Sequence, residues 1–575
     1  YFRTKFVVET NLAGFNAITM TTMLDDGAVI YLNGAELRRI RMADGPVYFN
    51  TSALLPAVGD AAPETFTLNP ALILAGTNYL AVEVHQSLNP TSTDVVWGMG
   101  LTATRTVTNI TQITLVLNEV MANNQSVTNV DGTVTDWIEL YNPGDTARDL
   151  SDLSLTDDSN NPRRWVFPAG ASIPSRGYVV VRCDPNAPAS TNTAGPLNTG
   201  FGLKASGDNI YLYDRGTGGG APPEVDSIAF GLQAADFSLG RVPDGYGAWT
   251  LCLPTPGARN IAAILGNAAA LKINEWMADP AGGDDWFELF NPGNQPVAIG
   301  NLYLTDDLTR RTKYQIPPHS YVSYGGRGFT VFAADNNPGA GADHTNFKLA
   351  REGESIGLFT ASGVAIDGVT FGLQQTGVSE GRLLDGSMNR VRFPNCASPG
   401  SANYLPLTQV VVNEVLSHSD WPFQDAIELR NLSDQFLDLS GWWLSDDAND
   451  LQKFRIPDGA VLPPLGFVVF YEYQFNPPPF FYPAFALSSE NGDELHLAQA
   501  DPITGEFTGY RATVSFGPAE SGVSLGRYET SGGVDFVALN QRTFGTDNPA
   551  ITNEFIQGAG LANAYPKVGP IVIHE

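Results

Sequence analysis

Short stretches in which apolar and polar residues alternate, roughly four to eight residues long, run the length of the chain and are separated by clusters of Gly, Pro, Asn and Asp. That period of two predicts strands, with each face of a strand collecting every second side chain. Three groups of these strands share one order. Leu115 to Asp158 contains LVLNEVMANN, DWIELYNPG and LSLTDD; Leu271 to Asp307 contains LKINEWMADP, DWFELFNPG and LYLTDD; Val410 to Asp447 contains VVVNEVLSHS, DAIELRNLS and WWLSDD. The interval between copies is domain-sized and far longer than the ~20–50 residues of a solenoid repeat.

Later landmarks recur in the same order. A Phe-Gly pair ends a strand at Phe230-Gly231, Phe371-Gly372 and Phe516-Gly517, and a Ser-x-Gly-Arg follows at Ser238 to Arg241, Ser379 to Arg382 and Ser524 to Arg527. Pro256-Gly257 and Pro399-Gly400 close the first two copies, whereas the third has Phe544-Gly545 near that point, Ala426 in place of Trp137 or Trp286, and Leu432-Ser433 in place of Pro-Gly. This succession of spaced motifs resembles the lamin tail domain, which implies an immunoglobulin-like β-sandwich for each copy. The first hundred residues differ. Their strands YFRTKFVVE, AITMTTML, AVIYLN, FTLNPALIL, YLAVEVHQ and VVWGMGLTATR are divided by turns such as Asn33-Gly34, a strong hairpin signal. DDGAVIYLNGAEL and GTNYLAVEVHQ resemble the galactose-binding-like jelly-roll domain of large secreted bacterial proteins.

The expected fold class is therefore all-β: a jelly-roll sandwich over residues 1–108, lamin-tail-like domains over 109–264, 265–405 and 406–552, and a linker with the first strand of a fourth repeat over 553–575. Length agrees, since 575 residues exceed what one core supports and suggest roughly four domains. So does composition: 59 Gly and 39 Pro with only 16% charged residues favour short strands joined by turns.

Charge narrows the partners. The formal net charge of −29 repels phosphate backbones and anionic membranes, so nucleic acid is a poor partner. No apolar run approaches the ~20 residues of a membrane span, so membrane insertion is not expected. Three cysteines exclude a disulfide scaffold; Cys183 and Cys252, in one copy, are the pair to test for a bridge, with Cys396 apart.

The acids invite a catalytic reading. Each copy has a Glu after its first strand (Glu119, Glu275, Glu414) and a second within the next (Glu139, Glu288, Glu428), and paired carboxylates serve acid–base chemistry or metal binding. Alternation places Glu139 on the face of Trp137, opposite Ile138 and Leu140, where it need not be buried. The recurring arginines Arg241, Arg382 and Arg527 are then counter-ions, and structural ion pairs are expected in preference to three tandem active sites. Asp157-Asp158, Asp306-Asp307 and Asp446-Asp447 suit turn capping, with Ca²⁺ at Asp446, Asp447 and Asp450, or at Asp25 and Asp26 beside Glu83 and His85, as the alternative. No Walker loop or His-based metal motif is present, and no G-x-S-x-G or G-x-G-x-x-G is set in a βαβ unit.

Tyr1 follows neither Met nor a leader, and VIHE at the C-terminus matches VLNE and VVNE, so the chain reads as a piece of a longer array in which Ile571, Val572 and Ile573 start a fourth copy or add to a neighbour's sheet edge. The expectation is a non-catalytic secreted or cell-surface structural protein, adhesive or filament-forming. It would take no cofactor unless Ca²⁺, with copies of itself, other surface proteins or glycans as partners. The alternatives are the accessory region of a larger secreted hydrolase, such as a nuclease or phosphoesterase, and a carbohydrate-binding surface protein using aromatics such as Trp97.

Overall fold

The computed structural model describes residues 1–8, 15–55, 61–69, 72–74, 76–88, 95–105, 115–129, 131–215, 222–477, 484–544 and 549–567. The chain divides into two compact units, Tyr1–Ile113 and Thr114–Glu575, and is all-β, as the alternation predicted.

The N-terminal unit is a two-sheet sandwich. One sheet has the order Phe2–Val8, Gly76–His85, Gly27–Leu32, Ala35–Ile40, and the other has Ala62–Leu68, Phe15–Leu24, Trp97–Arg105. Ile18, Met20, Leu24, Ile30, Leu80 and Val82 fill the space between them, and Trp97 packs against this core instead of standing free as an aromatic platform. Asn33 and Gly34 both take positive φ, 52° and 84°, between paired Leu32 and Ala35. This is the primed two-residue hairpin that Asn-Gly favours.

The second unit holds three sandwiches of one plan. In copy 1 the larger sheet runs Tyr178–Cys183, Asp136–Tyr141, Val116–Met121, Ser238–Val242, Ala248–Leu253, and it faces Trp165–Val166, Ser154–Thr156, Asp208–Tyr213, Glu224–Phe230. Copy 2 repeats the order with Phe329–Ala333, Trp286–Phe290, Lys272–Met277, Val378–Arg382, Arg390–Pro394, and copy 3 with Phe467–Tyr471, Ala426–Asn431, Val410–Leu416, Leu525–Thr530, Gly533–Ala538. Each copy buries its own apolar cluster.

Two features depart from simple alternation. The first strand slips register against the second between Leu117 and Glu119, between Ile273 and Trp276, and between Val412 and Glu414. A β-bulge there turns consecutive Asn and Glu side chains both inward, so Asn118 and Glu119 are fully buried, as are Asn274 and Glu275. Glu139 is also fully buried, contrary to the expectation from its strand face. The sheet carrying it is covered on both sides: Trp137 on the Glu139 face is as deeply buried as Ile138 and Leu140 on the other.

The third copy also ends later than expected. Residues 553–567, read from the sequence as linker, complete its sandwich: Phe555 is fully buried with Phe544, Leu416 and Ala426. Gly560, at φ 87°, takes the position of Gly257 (78°) and Gly400 (83°). Thr543 donates to Glu414 as Thr255 does to Glu119 and Ser398 to Glu275, so Phe544 stands where Pro256 and Pro399 do, but the glycine of the closing motif comes only at Gly560; Gly545 lies outside the described residues, as do Ile571, Val572 and Ile573.

The copies interlock. Leu232 of copy 1 sits in the apolar cluster of copy 2, while Tyr321 of copy 2 sits in that of copy 1. Tyr321 N donates to Leu232 O at 2.7 Å, and Arg327 forms an ion pair with Asp236. Copies 2 and 3 meet differently. Leu405–Pro406 adds in parallel to the edge strand Phe507–Phe516 of copy 3, and buried Arg511 donates to Ala402 O at 3.0 Å with its guanidinium 4.5 Å from the Tyr404 ring centre.

The first junction has no room for a side chain at Gly231, where a Cβ would collide with Ser320. Gly231→Val is expected to separate the unfolding of copies 1 and 2 and to cost about 1–3 kcal/mol. Calorimetry of the full chain checks this, and an unchanged scan would show that the junction carries no coupling.

Candidate functional site

The best-defined constellation of chemically capable side chains is the buried glutamate pair, present three times. Glu119 and Glu139 lie directly across from each other on paired strands, as do Glu414 and Glu428. Every carboxylate oxygen in copy 1 accepts from protein. Glu119 takes the Ser238 hydroxyl at 2.5 Å and both the backbone N–H and hydroxyl of Thr255 at 3.1 Å. Glu139 takes Asn118 Nδ2 at 3.0 Å and Gly257 N at 2.6 Å. In copy 2, Glu275 holds the Ser379 hydroxyl and Ser398 N (3.1 Å), while Glu288 holds Asn274 Nδ2 and Gly400 N, both at 2.9 Å. In copy 3, Glu414 holds Thr543 N at 3.1 Å, and Glu428 holds Asn413 Nδ2 at 2.6 Å and Leu561 N at 3.2 Å.

The same geometry recurs because the bulge Asn and the closing segment meet the glutamates in all three copies, joined in copies 1 and 2 by the Ser of Ser-x-Gly-Arg. That segment brings a third side chain that the sequence reading missed. Asn260 Nδ2 donates to Asn118 O at 3.0 Å and Arg241 O at 2.9 Å; Asn403 Nδ2 reaches Arg382 O at 2.9 Å; Asn563 Nδ2 reaches Asn413 O at 3.0 Å and Arg527 O at 2.8 Å. The signal was present as Gly-x-x-Asn in GARN, GSAN and GLAN. In the third copy it stood beyond the point where the domain was thought to end.

The arginines do not pair with these glutamates, which corrects the ion pairs expected for Glu119, Glu139 and Arg241, for Glu275, Glu288 and Arg382, and for Glu414, Glu428 and Arg527. Arg241 Nη2 lies 3.0 Å from Asp226, and Arg382 Nη2 lies 3.0 Å from Asp367, each Arg also donating Nε to a first-strand carbonyl. The aspartates complete a small network by accepting Leu117 N at 2.9 Å and Ile273 N at 2.8 Å. Asp226 and Asp367 follow a variable loop, so sequence spacing gave no reason to choose them over glutamates that recur in fixed motifs.

The other acids form turns. Asp158, Asp307 and Asp447 each accept the N–H two residues on, at 2.9, 2.9 and 2.8 Å, and Asp450 accepts Gln452 N at 3.3 Å. Asp306 and Asp446 pair with Lys313 and Lys453, both at 2.5 Å, and Asp157 with Arg164. In the N-terminal unit Asp26 accepts Ser87 N at 2.8 Å; Glu83 accepts the Tyr31 hydroxyl at 2.5 Å and lies 3.8 Å from His85, whose Nδ1 is 2.7 Å from Thr51 O. Asp25 is buried beside them. Among the described residues no three His, Cys, Asp or Glu side chains are grouped to hold a metal. Cys183, Cys252 and Cys396 are buried free thiols, so the Cys183–Cys252 bridge is not formed.

Burial sets the chemistry of the glutamates. Loss of water raises Glu119 to about 7, Glu139 to about 8, Glu275 to about 7 and Glu428 to about 8, opposed by the hydrogen bonds each accepts, and it raises Glu288 and Glu414 as well. A pKa near 7 suits acid–base catalysis, but these oxygens are enclosed and already engaged. Their consequence is for stability. With the folded pKa above the unfolded value near 4.5, the folded state retains protons that the unfolded chain releases, so stability falls as pH rises from about 4.5 to about 8 and is flat beyond. The expected loss is several kcal/mol per copy, since one pKa unit is worth about 1.4 kcal/mol and Glu119 and Glu139 both stand more than two above the unfolded value. Glu139→Gln should reduce this fall in copy 1 to the part that Glu119 carries. At pH 5, where Glu139 is already protonated, the amide replaces an acid that likewise has one carbonyl oxygen to accept and one group to donate, so stability there should change by less than about 1 kcal/mol. Denaturant melts across pH check both, and a wild-type chain equally stable at pH 5 and 8 would contradict the assignment.

Comparison with known proteins bears on the three copies. A family model described as Lamin Tail Domain matches residues 108–231, 266–372 and 406–506. No curated protein matches the chain. Solved structures similar to parts of it include a β-glucuronidase from an uncultured Clostridium species (11% identity, TM-score 0.12, 43% of this chain and 36% of that one) and a β-D-mannosidase from Dictyoglomus thermophilum (10%, 0.12, 44% and 31%). The chain spans about a third of the length of these structures, and superpositions this loose say nothing about activity. The three tandem matches cover more than half of the sequence and fall where the Asn-Glu bulge and its glutamate network recur, so this chain belongs to the lamin tail domain family.

Proposed function

We propose that the chain is a non-catalytic structural segment of a secreted or cell-surface protein, in which tandem lamin tail domains serve as spacers and as contact surfaces for other copies or other surface proteins. The observation that carries this reading is that the repeated glutamates, its best candidates for chemistry, spend their hydrogen-bonding capacity on holding each sandwich closed, in all three copies. The interlocked junctions give the reading further support: Leu232 and Tyr321 exchange places between cores, and a linker strand is shared at the second junction. A flexible tether would need neither. The acidic surface, with 61 acids against 32 bases, suits an exposed protein that must stay dispersed until it meets its partner.

Two measurements test the proposal. Electron microscopy and sedimentation of the purified chain at high concentration are expected to show ordered self-association, or antibodies to it are expected to label the surface of the source cells. A dispersed monomer with no surface label would contradict the proposal, and hydrolysis of a glycosyl or phosphodiester substrate that Glu119→Gln and Glu139→Gln abolish would replace it with an enzyme. Calcium is not part of the proposal. EDTA is accordingly expected to leave the melting of the three sandwiches unchanged, and a fall in any transition that Ca²⁺ reverses would assign it a structural ion.

A further inference from the structure

The junction between copies 1 and 2 is made from a turn and a loop that both recur, exposed, elsewhere in the chain. The turn is Phe230-Gly231-Leu232-Gln233 of copy 1, and its seat is the loop from Pro317 to Tyr321 of copy 2. Gly231 N donates to Pro318 O at 3.2 Å, Leu232 N to Ser320 Oγ at 3.2 Å and Gln233 Nε2 to His319 O at 2.8 Å, while Tyr321 N donates back to Leu232 O at 2.7 Å. Seated in this way, Leu232 is only 7% exposed.

Copy 2 carries the same turn, Phe371-Gly372-Leu373-Gln374, folded alike: Gln374 N donates to Arg351 O at 2.9 Å as Gln233 N does to Ala205 O at 2.8 Å. Among the described residues nothing covers it. Leu373 is 60% exposed, and a Cβ added at Gly372 meets no atom within 4 Å, whereas one at Gly231 strikes Ser320. Gln374 is buried, yet its Oε1 has no hydrogen-bond partner among the described residues, and its Nε2 turns to Glu380 at 3.1 Å. Copy 3 has Pro518 in place of the leucine, so copy 2 is the one that presents the turn free.

The seat recurs in copy 3. Ile456 N donates to Trp442 O and Gly441 N to Ile456 O, as Ile316 N does to Leu302 O and Asn301 N to Ile316 O, which puts Asp458, Ala460 and Val461 where Pro318, Ser320 and Tyr321 stand. The register that leaves Tyr321 N to Leu232 is kept, with Val461 opposite Asp438 as Tyr321 is opposite Ala298. Val461 is 48% exposed, and the corresponding residue of copy 1 is the polar Ser172. Charge favours the copy 3 seat as well. Exposed Arg390 and Arg392 border the copy 2 turn, donating to Thr370 O and Leu373 O at 3.0 and 3.1 Å, while exposed Asp438 faces Val461 and exposed Asp458 precedes it in the loop. An ion pair, Arg327 with Asp236, flanks the seated turn of copy 1 in the same manner.

We propose that the Gly372-Leu373-Gln374 turn of one chain docks onto the Asp458 to Val461 loop of a second copy of this chain, repeating between molecules the contact that joins copies 1 and 2 within one. Leu373 packs on Val461, and the Leu373 carbonyl, which has a second lone pair beside the Arg392 bond, accepts Val461 N. Ala460 lacks the hydroxyl that Ser320 offers to Leu232 N, so Leu373 N is left to water. A contact of one turn and one loop is small and belongs with weak, concentration-dependent association. The turn and its seat are different surfaces, and each chain carries one of each, so the contact repeats along a row of chains. It rests on the structural role proposed above and gives self-association a location on the surface.

Sedimentation of the full chain over a range of concentrations tests the contact. The wild-type chain is expected to associate with an apparent Kd on the order of 10 μM. Leu373→Asp and Val461→Asp alter exposed side chains and leave the cores intact, and each is expected to weaken association at least about tenfold. Each variant keeps the half of the contact that the other lacks, so an equimolar mixture of the two is expected to recover association as a dimer. Wild-type association undiminished in both variants, or a mixture no more associated than either variant alone, would overturn the docking site and leave the structural role intact. A wild-type chain that is monomeric at every concentration would overturn the site as well, and the structural role would then rest on surface labelling alone.

Discussion

Each sandwich of the second unit depends on bringing a pair of carboxylates out of water and giving every oxygen a donor. Isolated, such a pair would be strongly unfavourable: two acids facing each other across adjacent strands, with no cation hydrogen-bonded to either. Donors from three separate parts of the domain make the arrangement tolerable. A side-chain amide comes from the bulge, a hydroxyl from the third strand in copies 1 and 2, and backbone N–H groups from the segment that ends the domain. Because those donors are spread over more than a hundred residues of chain, the network forms only when the whole sandwich is assembled. It therefore favours closure of one particular topology, a role for buried polar groups that apolar packing alone does not supply.

The bulge is what makes this geometry available. In a regular strand Asn118 and Glu119 would point to opposite faces, and one of them would leave the interior. One extra residue in the first strand turns both inward, so the Asn can reach the second glutamate while the first glutamate reaches the third strand. The closing turn adds a matching demand. Gly257, Gly400 and Gly560 all take positive φ, and at Gly560 a Cβ would strike the Glu428 carboxylate it helps to cover. Copy 3 preserves this demand despite the added residues ahead of it, which is a sign of how tightly the acid pair constrains the end of the domain.

Around this shared frame the copies have diverged where the frame does not reach. The two junctions use different contacts, an exchange of Leu232 and Tyr321 in one and an added parallel strand with buried Arg511 in the other. The Arg–Asp network is kept in copies 1 and 2 and dismantled in copy 3. The glutamate network bolts the domain shut, so its loss would expose unpaired buried donors. The Arg–Asp pair lies nearer the surface, where water can replace a lost partner, and it is freer to change.

The sequence by itself determined the class, the number of copies and the order of their motifs, because period-two alternation, Asn-Gly and Pro-Gly turns and a thrice-repeated set of landmarks are local and leave few alternatives. It also pointed to the right glutamates. What it misassigned were their partners: it paired them with arginines that bond to Asp226 and Asp367, left Glu139 unburied, and ended copy 3 before Gly560 and Asn563. Those were decisions of the tertiary structure. A bulge reverses the side-chain parity on which strand faces are read, a sandwich of this kind covers both sides of its central strand, and the nearest acid to an arginine is set by how two sheets stack. None of these is encoded in the spacing of residues along one strand, and each appears only when distant segments close on the same pair of carboxylates.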